Sequence, residues 1–589
     1  MHRTHTCWEL RKEHIWQTVT LSGWVDNVRK LGWMTFFTLR DRYGVTQVNC
    51  NPDHVSAELG DIAASLKNEY VVKVSGHVLS RPDTMINENM PTGWIEVIPS
   101  SIEILTKAKE LPFQIVDDPK TSDEIRYKHR YLDLRRKKIL DNITFRAQMN
   151  QFTRNWFSDN GFLEVQTPLF TVSSPEGARD YIIPSRVNPG KFYALPQAPQ
   201  QYKQLLMIWW IDKYFQIAPC FRDEDPRADR HSCEFYQIDC EMSFVEQEDV
   251  FKIAEWYIHD LIKTLVTHKT ITVDFKRLSY ADAIDLYGSD KPDLRFGMEF
   301  IDVSDVVTKS TFPVFTDAVA AEKKVKALRL EWQTMSRKEF DEITEVAKRG
   351  GASGLPYLVW DAEWLKWSIV KFFDEETAKA LAEKVWAKVW DIVFFAVGEP
   401  ASAGKALNVV RLFLRDKYKL VDQNHLAFVW ITNFPFYDMN DEWKLDFAHN
   451  PFSHITGWVQ ALESQDPLHL VSEQYDMVCN GYEILSGSIR NHDADVLIKA
   501  FEKVGKWEKE VKDKFGAMYE AFQFGAPPHG WFAFGFDRLL MILKDEENIR
   551  EIYAFPKSGR AEDVMMGAPS FLDEAQLTEM HIKPLDSEK

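Results

Sequence analysis

Between Val19 and Leu105 the apolar residues fall into five short runs: VTLSGWV (19–25), MTFFTLRD (34–41), VTQVNC (45–50), YVVKVSGHVL (70–79) and WIEVIPSSIEIL (94–105). Rich in β-branched and aromatic residues, and bounded by turn-forming stretches, they predict β-strands that curl into a small closed barrel over residues 1–105. A polar stretch follows at 106–135, broken by Pro112 and Pro119, and reads as a linker or hinge. The period then changes. KKILDNITFRAQMNQFTRNWFSDNGFLEV (137–165) places apolar residues three and four apart and predicts a helix that stops at Gly161, with TPLF (167–170) extended after it. Residues 190–287 mix helical spacing, in PQQYKQLLMIWWIDKY (199–214), with strand-like runs, YFQIAPCFR (214–222) and FYQIDCEMSF (235–244). Residues 288–420 differ in character. They contain GGASGLP (350–356) and an amphipathic run, EETAKALAEKVWAKVWDIVFF (375–395), that reads as a helix; together they predict an inserted α/β domain. Strand-like sequence resumes at LAFVWITNFPFYD (426–438), and GAPPHGWFAFGFDRLLMIL (525–543) predicts a glycine-broken strand running into a helix, with Arg538 in its first turn.

Composition narrows the class without deciding it. The chain has 589 residues, 45% hydrophobic and 27% charged, with a net charge of −18. That length and balance predict a globular protein of about three or four domains. The acidic total argues against a protein coated in nucleic acid but leaves room for a local basic patch. Six scattered cysteines form no CxxC pair, so no zinc or redox site is indicated and a reducing compartment is expected. No run approaches the roughly 18–20 apolar residues of a membrane span, and the N-terminus has no signal-peptide pattern, so the expected location is cytoplasmic.

Barrels of the OB type often bind single-stranded nucleic acid by stacking bases on aromatic rings beside basic groups. Arg29, Phe36, Phe37 and Gln47 supply that chemistry. Phe36 and Phe37 alternate along one strand, so one faces the core and the other faces out, and packing alone also accounts for either.

The stretch FRDEDPRADRHSCEFYQIDCEMSF (221–244) packs Arg222, Arg227 and Arg230 among Asp223, Glu224, Asp225 and Asp229, then turns apolar. A solvated loop with cancelling charges would look like this. So would a site that holds a polyphosphate and its metal ions together. The glycines of the 525–543 stretch favour the second, since glycine lets backbone approach a ligand and a helix N-terminus favours anions.

The two stretches together resemble motifs 2 and 3 of class II aminoacyl-tRNA synthetases, in the form seen in aspartyl-tRNA synthetases. The resemblance extends along the chain. Residues 23–47, with GWV, LG, LRDR and Gln47, resemble the family's anticodon-binding OB domain, and RYLDLRR (130–136) its hinge. GFLEVQTPLF (161–170) resembles motif 1, with Pro168 at the dimer interface. SPEGARDYIIPSR (174–186), LPQAPQQYKQLLM (195–207), GYEILSGSIR (481–490) and AFPKSGRAEDVM (554–565) continue the match, and the block 288–420 resembles the insertion domain of the bacterial type. The implied domains are an OB-fold anticodon-binding domain (1–105), a hinge (106–135), an antiparallel-sheet catalytic domain in two parts (136–287 and 421–589) and the insertion (288–420).

The implied reaction joins aspartate to the α-phosphate of ATP, releases pyrophosphate, and passes the aspartyl group to the 3′ end of tRNA-Asp. The substrate's own carboxylate is the nucleophile, so no Ser/His/Asp or Cys/His arrangement is needed, and positioning with charge stabilisation carries catalysis. By resemblance Arg222, Glu224, Glu483 and Arg538 are the catalytic set. ATP is expected at Arg222, Asp223, Glu224, His231, Phe235, Gln237, Glu483 and the run Gly535, Phe536, Asp537, Arg538, with adenine between Phe235 and Arg538. Mg²⁺ is expected on Asp476 and Glu483, as hard oxygen ligands suit it. Aspartate is expected at Arg490 and Lys203 through its side-chain carboxylate, at Glu176, Gln200 and Asp239 through its ammonium, and against Arg222 and His449. Arg29, Leu31, Phe36, Gln47 and Thr84 are the expected anticodon contacts. A homodimer with tRNA-Asp as partner, and tRNA-Asn as a second candidate, completes the implied picture.

The sequence departs from the family's habits in places. QAPQ stands for QSPQ at Ala198, AHNPFS for AHHPFT at Asn450, the 231–233 loop is one residue longer, and VDNVRKLG carries fewer arginines. Leu31 is the residue that accompanies selectivity for tRNA-Asp in this family, whereas Thr84 matches neither habit at the second position. The competing readings are a lysyl- or asparaginyl-tRNA synthetase and a catalytically silent tRNA-binding paralogue. Arg490 with Lys203 opposes the first pair, because lysine would be repelled and asparagine needs a donor–acceptor pair. The intact motif arginines and metal carboxylate oppose the paralogue.

Overall fold

A computed structural model of the protein describes residues 2–173, 178–361, 364–366 and 369–585. The chain divides into two compact units: residues up to 144 with 554–558 and 563–568, and the remainder from Phe145.

In the first unit, β1 (Thr18–Leu31), β2 (Met34–Arg40) and β3 (Val45–Cys50) lead into helix α1 (Ala57–Ser65), followed by β4 (Val71–Ser80) and β5 (Ile95–Thr106). The strands close in the order β1-β2-β3-β5-β4, with β4 paired back to β1. Alternate residues fill the interior, among them Val19, Leu21, Val25, Phe37, Leu39, Val72 and Val74. Each expected run is a strand. β1 runs on to Leu31 because an irregularity in its pairing between Val25 and Asn27 re-aims the polar DNVRK segment along β2.

The polar segment expected as a hinge is ordered, with short helices at Asp123–Lys128 and Arg130–Asp133. Its charges pair with one another. Asp133 is fully buried and is met by Arg126 at 3.1 Å, Arg136 at 3.1 Å and Arg130. Burial alone would raise its pKa, but the three guanidiniums more than offset this and hold it below the usual carboxylate range.

The second unit is built on an eight-stranded sheet. In spatial order its strands are Lys276–Ser279, Phe428–Pro435, Val471–Cys479, Tyr482–Ile489, His529–Gly535, Glu234–Ser243, Lys213–Phe221 and Leu163–Glu164. The outermost pair at each end is parallel and all other pairs are antiparallel. Strand alternation sorts the two faces. Ile238, Cys240, Met242, Tyr475, Met477, Phe532 and Phe534 join a core that also takes residues of helices Lys137–Asp159, Gln247–Leu265 and Phe536–Leu543. The intervening Asp239, Glu241, Gln474, Asp476, Trp531 and Ala533 therefore face the other way, and that face carries the polar chemistry.

Residues 300–398 form a second sheet, antiparallel throughout, in the order Phe300–Asp302, Lys324–Leu330, Ile392–Gly398, Tyr357–Asp361, Trp364–Lys366. Helices Arg337–Arg349 and Pro400–Tyr418 share one core with this sheet, and helices Ser304–Val307, Pro313–Ala320 and Glu375–Lys384 share another.

Two predicted helices are shorter than expected. The amphipathic run 375–395 is helical only over Glu375–Lys384, and Ile392–Gly398 is the central strand of the second sheet. The IVFF segment is buried on both faces, which favours β-branched and aromatic residues in a strand. The run 199–214 is helical over Gln200–Ile208, then turns through the exposed Trp209 and Trp210 into the strand from Lys213. Trp210 has a φ of 70°, which a helix cannot accommodate.

Candidate active site

The polar face of the large sheet floors a cavity of about 700 Å³, a size suited to a nucleotide-sized ligand. At one end the hairpin between strands 213–221 and 234–243 closes where the Arg222 N–H donates to the Cys233 carbonyl at 2.9 Å. The Arg222 guanidinium lies 5.2 Å over the Phe235 ring, and its Nε is buried with no partner among the described residues. Helix Phe536–Leu543 starts at the end of strand His529–Gly535 and brings Arg538 to the same cavity. Arg538 is held in place by donating to two backbone carbonyls, Glu483 through Nη1 and Arg230 through Nε.

Beneath the floor lies a set of fully buried charges. Glu241 accepts from Arg490 Nε at 3.0 Å and from Arg490 Nη2 at 3.2 Å, and Gln200 Oε1 takes a second bond from Nη2 at 3.1 Å. The third nitrogen, Nη1, is buried without a partner among the described residues. Lys203 Nζ donates to Asp239 Oδ1 at 2.5 Å and lies 3.4 Å from Glu241, while Asp239 Oδ2 has no partner among the described residues. Both cations sit over the Trp531 ring, Lys203 at 4.1 Å and Arg490 at 4.5 Å. Burial pushes the Asp239 carboxyl up despite Lys203. Burial also opposes the charge on Glu241, but Arg490 and Lys203 overcome it and hold that group low. A spare cationic donor and a spare acidic acceptor in one dry pocket suit a zwitterion carrying an extra carboxylate.

On the hairpin of strands 471–479 and 482–489, Asp476 pairs with Ser486 and Glu483 with Val478, and the two carboxylates are close enough to interact. Asp476 is buried, its Oδ1 has no partner among the described residues, and burial followed by the nearby Glu483 pushes its carboxyl well up. Glu483 is kept low by Lys291, Arg538 and Arg222 against the effect of burial. Lys291 Nζ stands 2.9 Å from Glu483 Oε2. Two adjacent hard carboxylates with an unsatisfied oxygen and a cation already drawn to them fit a divalent ion.

A family model described as "tRNA synthetases class II (D, K and N)" matches residues 122–559, and one described as "OB-fold nucleic acid binding domain" matches residues 19–105. The chain is 46% identical over 594 residues to the "Aspartate--tRNA(Asp/Asn) ligase" of Rhizobium meliloti, covering 100% of this chain and 99% of that one. It is 45% identical over 588 residues to the protein of the same name in Brucella ovis, covering 99% and 98%. The chain belongs to the aspartate–tRNA ligase family of class II tRNA synthetases.

Solved structures agree on the fold. Pyrococcus horikoshii asparaginyl-tRNA synthetase, complexed with asparaginyl-adenylate, aligns with a TM-score of 0.58 at 19% identity, over 94% of this chain and 98% of that one. A putative aspartyl-tRNA synthetase from Leishmania major aligns with the same score, at 19% identity, over 94% of each. ATP is a substrate of aminoacyl-tRNA synthetases, and Arg222, Phe235 and Arg538 line one cavity.

Most of the residues singled out in the sequence come together. Gln200, Arg222, Glu224, His231, Phe235, Gln237, His449, Glu483, Gly535 and Arg538 line the cavity, with Lys203, Asp239, Arg490 and Asp476 buried. His449 packs against Phe434, ring centroids 5.0 Å apart. Asp223 is exposed and its N–H donates to the Arg179 carbonyl. Phe536 is core, and both oxygens of Asp537 are engaged, with Arg146 at 2.6 Å and the Tyr236 N–H at 2.7 Å. These last two side chains fasten the Arg538 helix. Glu176 lies outside the described residues.

In the barrel, Phe37 is core and Phe36 faces outward, paired with the exposed Arg29. Gln47 and Asn49 both donate to the buried Glu96 on β5, at 3.0 and 2.8 Å. Leu31 and Thr84 are exposed. Sequence reasoning missed Glu241, Trp531, Lys291 and Glu96. Glu241 had a signal: it follows Asp239 by two in a strand, so it shares that residue's face.

Proposed function

We propose that this synthetase activates L-aspartate with ATP and a divalent ion and transfers it to tRNA-Asp and tRNA-Asn, working as a homodimer. The observation that carries the amino-acid assignment is the buried Arg490, gripped by Glu241 and Gln200 with Nη1 left over. That donor takes the substrate's side-chain carboxylate, with Lys203 beside it. Asparagine's neutral amide would forfeit the charge-assisted bond and set an N–H against the arginine, and lysine would bring a third cation repelled by charge. Asp239 Oδ2 receives the α-ammonium.

Arg222 binds the α-phosphate and the attacking carboxylate, where a fork of donors matches paired oxygens. Phe235 and Arg538 hold adenine, a base–aromatic and cation–π arrangement. Asp476 and Glu483 hold Mg²⁺, which supplies charge neutralisation on the phosphates when bound. The wider tRNA range rests on the relatives' names, which give both tRNAs. Leu31 favours the narrower range. Charging of purified tRNA-Asp and tRNA-Asn transcripts with labelled aspartate distinguishes them. Charging of both supports the wider reading, charging of tRNA-Asp alone establishes Leu31 as the better guide, and charging of neither overturns the proposal.

A further inference from the structure

The segment Gly288–Met298 joins the catalytic sheet to the second sheet, and it carries Lys291 to Glu483 at 2.9 Å. Within the segment the Lys291 N–H donates to Ser289 Oγ at 3.0 Å, and Asp290 lies 3.6 Å from its ammonium. The rest of the segment is held by helix Pro400–Tyr418, more than a hundred residues later. Arg411 of that helix is fully buried and donates to four carbonyls of the segment: Asp293 at 2.8 Å, Phe296 at 3.1 Å, Gly297 at 2.9 Å and Met298 at 3.1 Å. Its guanidinium also lies 4.0 Å over the Phe296 ring. One turn on, Arg415 reaches the buried Asp293 carboxylate at 3.0 Å, which Arg295 clamps from its own side at 2.8 Å. The helix comes this close because two glycines meet. A Cβ on Gly288, whose φ is 65°, would fall 2.1 Å from the Gly404 carbonyl oxygen. On its other side the segment rests on Gly481, the turn of the hairpin that carries Asp476 and Glu483.

We propose that Lys291 is a positioning residue of the metal site: a resident cation that the block 300–420 delivers to Glu483, holding the carboxylate in place and yielding it to the divalent ion. The inference rests on Asp476 and Glu483 being the metal carboxylates. It assigns the inserted block a task at the active site, exercised through Arg411, without direct contact with substrate. Lys291 is half-buried on a segment whose fold is set by Arg411, Asp293 and Arg415, so replacing it leaves the segment's anchors intact.

The test is Mn²⁺ binding to the ATP-free full chain, read by the loss of free-ion signal in electron paramagnetic resonance. Removing a competing charge beside the site predicts that Lys291→Met binds Mn²⁺ about tenfold more tightly than the wild type, with Lys291→Arg close to the wild type. Arg411→Lys, which keeps the charge but cannot span four carbonyls, should move Mn²⁺ affinity in the same direction while its thermal midpoint reports any loss of fold. Equal Mn²⁺ affinity in the wild type and Lys291→Met overturns the inference and leaves the metal pair standing. Binding by neither protein overturns the metal pair, and the inference with it. Glu483→Gln should abolish the difference between lysine and methionine at 291, and persistence of that difference would also overturn the proposal.

Discussion

Glu241 grips Arg490 on the two nitrogens that face away from the cavity, at 3.0 Å and 3.2 Å, so that the guanidinium presents one free N–H pair to whatever enters. The pair is fully buried, and its partner charges Lys203 and Asp239 lie in the same pocket. An arginine alone would recognise any anion in several poses. An arginine fixed from behind recognises a carboxylate at one place.

Replacing Glu241 by glutamine keeps the shape and removes the charge that fixes Arg490. A hydrogen bond to a charged group is worth about 1.5–3 kcal/mol, so the KM for aspartate should rise by roughly 10- to 100-fold while the KM for ATP holds. Steady-state pyrophosphate exchange with each substrate varied separately checks this. An equal rise in both would mean that the pocket has collapsed and that Glu241 has no selective role.

Phe235 faces Arg222 across 5.2 Å and lines the cavity. Loss of a base-stacking ring costs about 1–3 kcal/mol. Phe235→Ala should therefore raise the KM for ATP with little change in that for aspartate. Phe235→Tyr should restore it, because the π face returns.

Asp476→Asn and Glu483→Gln each remove one charge from the carboxylate pair. Exchange by both variants should need more Mg²⁺ than the wild type and should remain low at saturating Mg²⁺. A Mg²⁺ titration of exchange activity with ATP fixed reads this directly. Wild-type Mg²⁺ dependence in Asp476→Asn would remove Asp476 from the metal site.

His529 sits behind the Arg490–Lys203 pocket, fully buried, with Nδ1 2.7 Å from the Pro527 carbonyl and Nε2 3.9 Å from Glu241. Burial pushes its pKa down to about 4 from an ordinary 6.5. The folded protein thus refuses a proton that the unfolded chain accepts between those values. Its contribution to stability is complete above pH 6.5 and is lost as pH falls through 4, with a total of ~3 kcal/mol. His529→Gln should flatten that part of the stability–pH curve, measured by urea unfolding at pH 7 and pH 5. An unchanged difference between the two pH values would show that His529 is not the group involved.

The barrel was legible because each strand is short, alternates, and ends in a turn signal, all of which are local properties. The motif stretches were legible because their residues sit together in the chain, as Arg222, Glu224 and Phe235 do. What the sequence hid was pairing at long range. Glu241 and Arg490 are 249 positions apart, and Lys291, on a connecting segment, meets Glu483 on a strand nearly two hundred residues later, which no local pattern fixes. The over-long helix at 375–395 has the same cause. Trp386 and Trp390 extend a helical spacing past Lys384, but both have positive φ, and burial on two faces makes IVFF a strand. Phe536 and Asp537 illustrate the converse: they stand inside a functional motif, yet their side chains are used to anchor it.

Arg490 is proposed to make this pocket read aspartate. The most direct test is ATP–pyrophosphate exchange by the purified full chain with L-aspartate, L-asparagine and L-lysine in parallel, at equal concentration and with Mg²⁺ present. Exchange is expected with aspartate and none above background with the other two. Exchange supported by asparagine or lysine at a rate comparable to aspartate, or by none of the three, would contradict it.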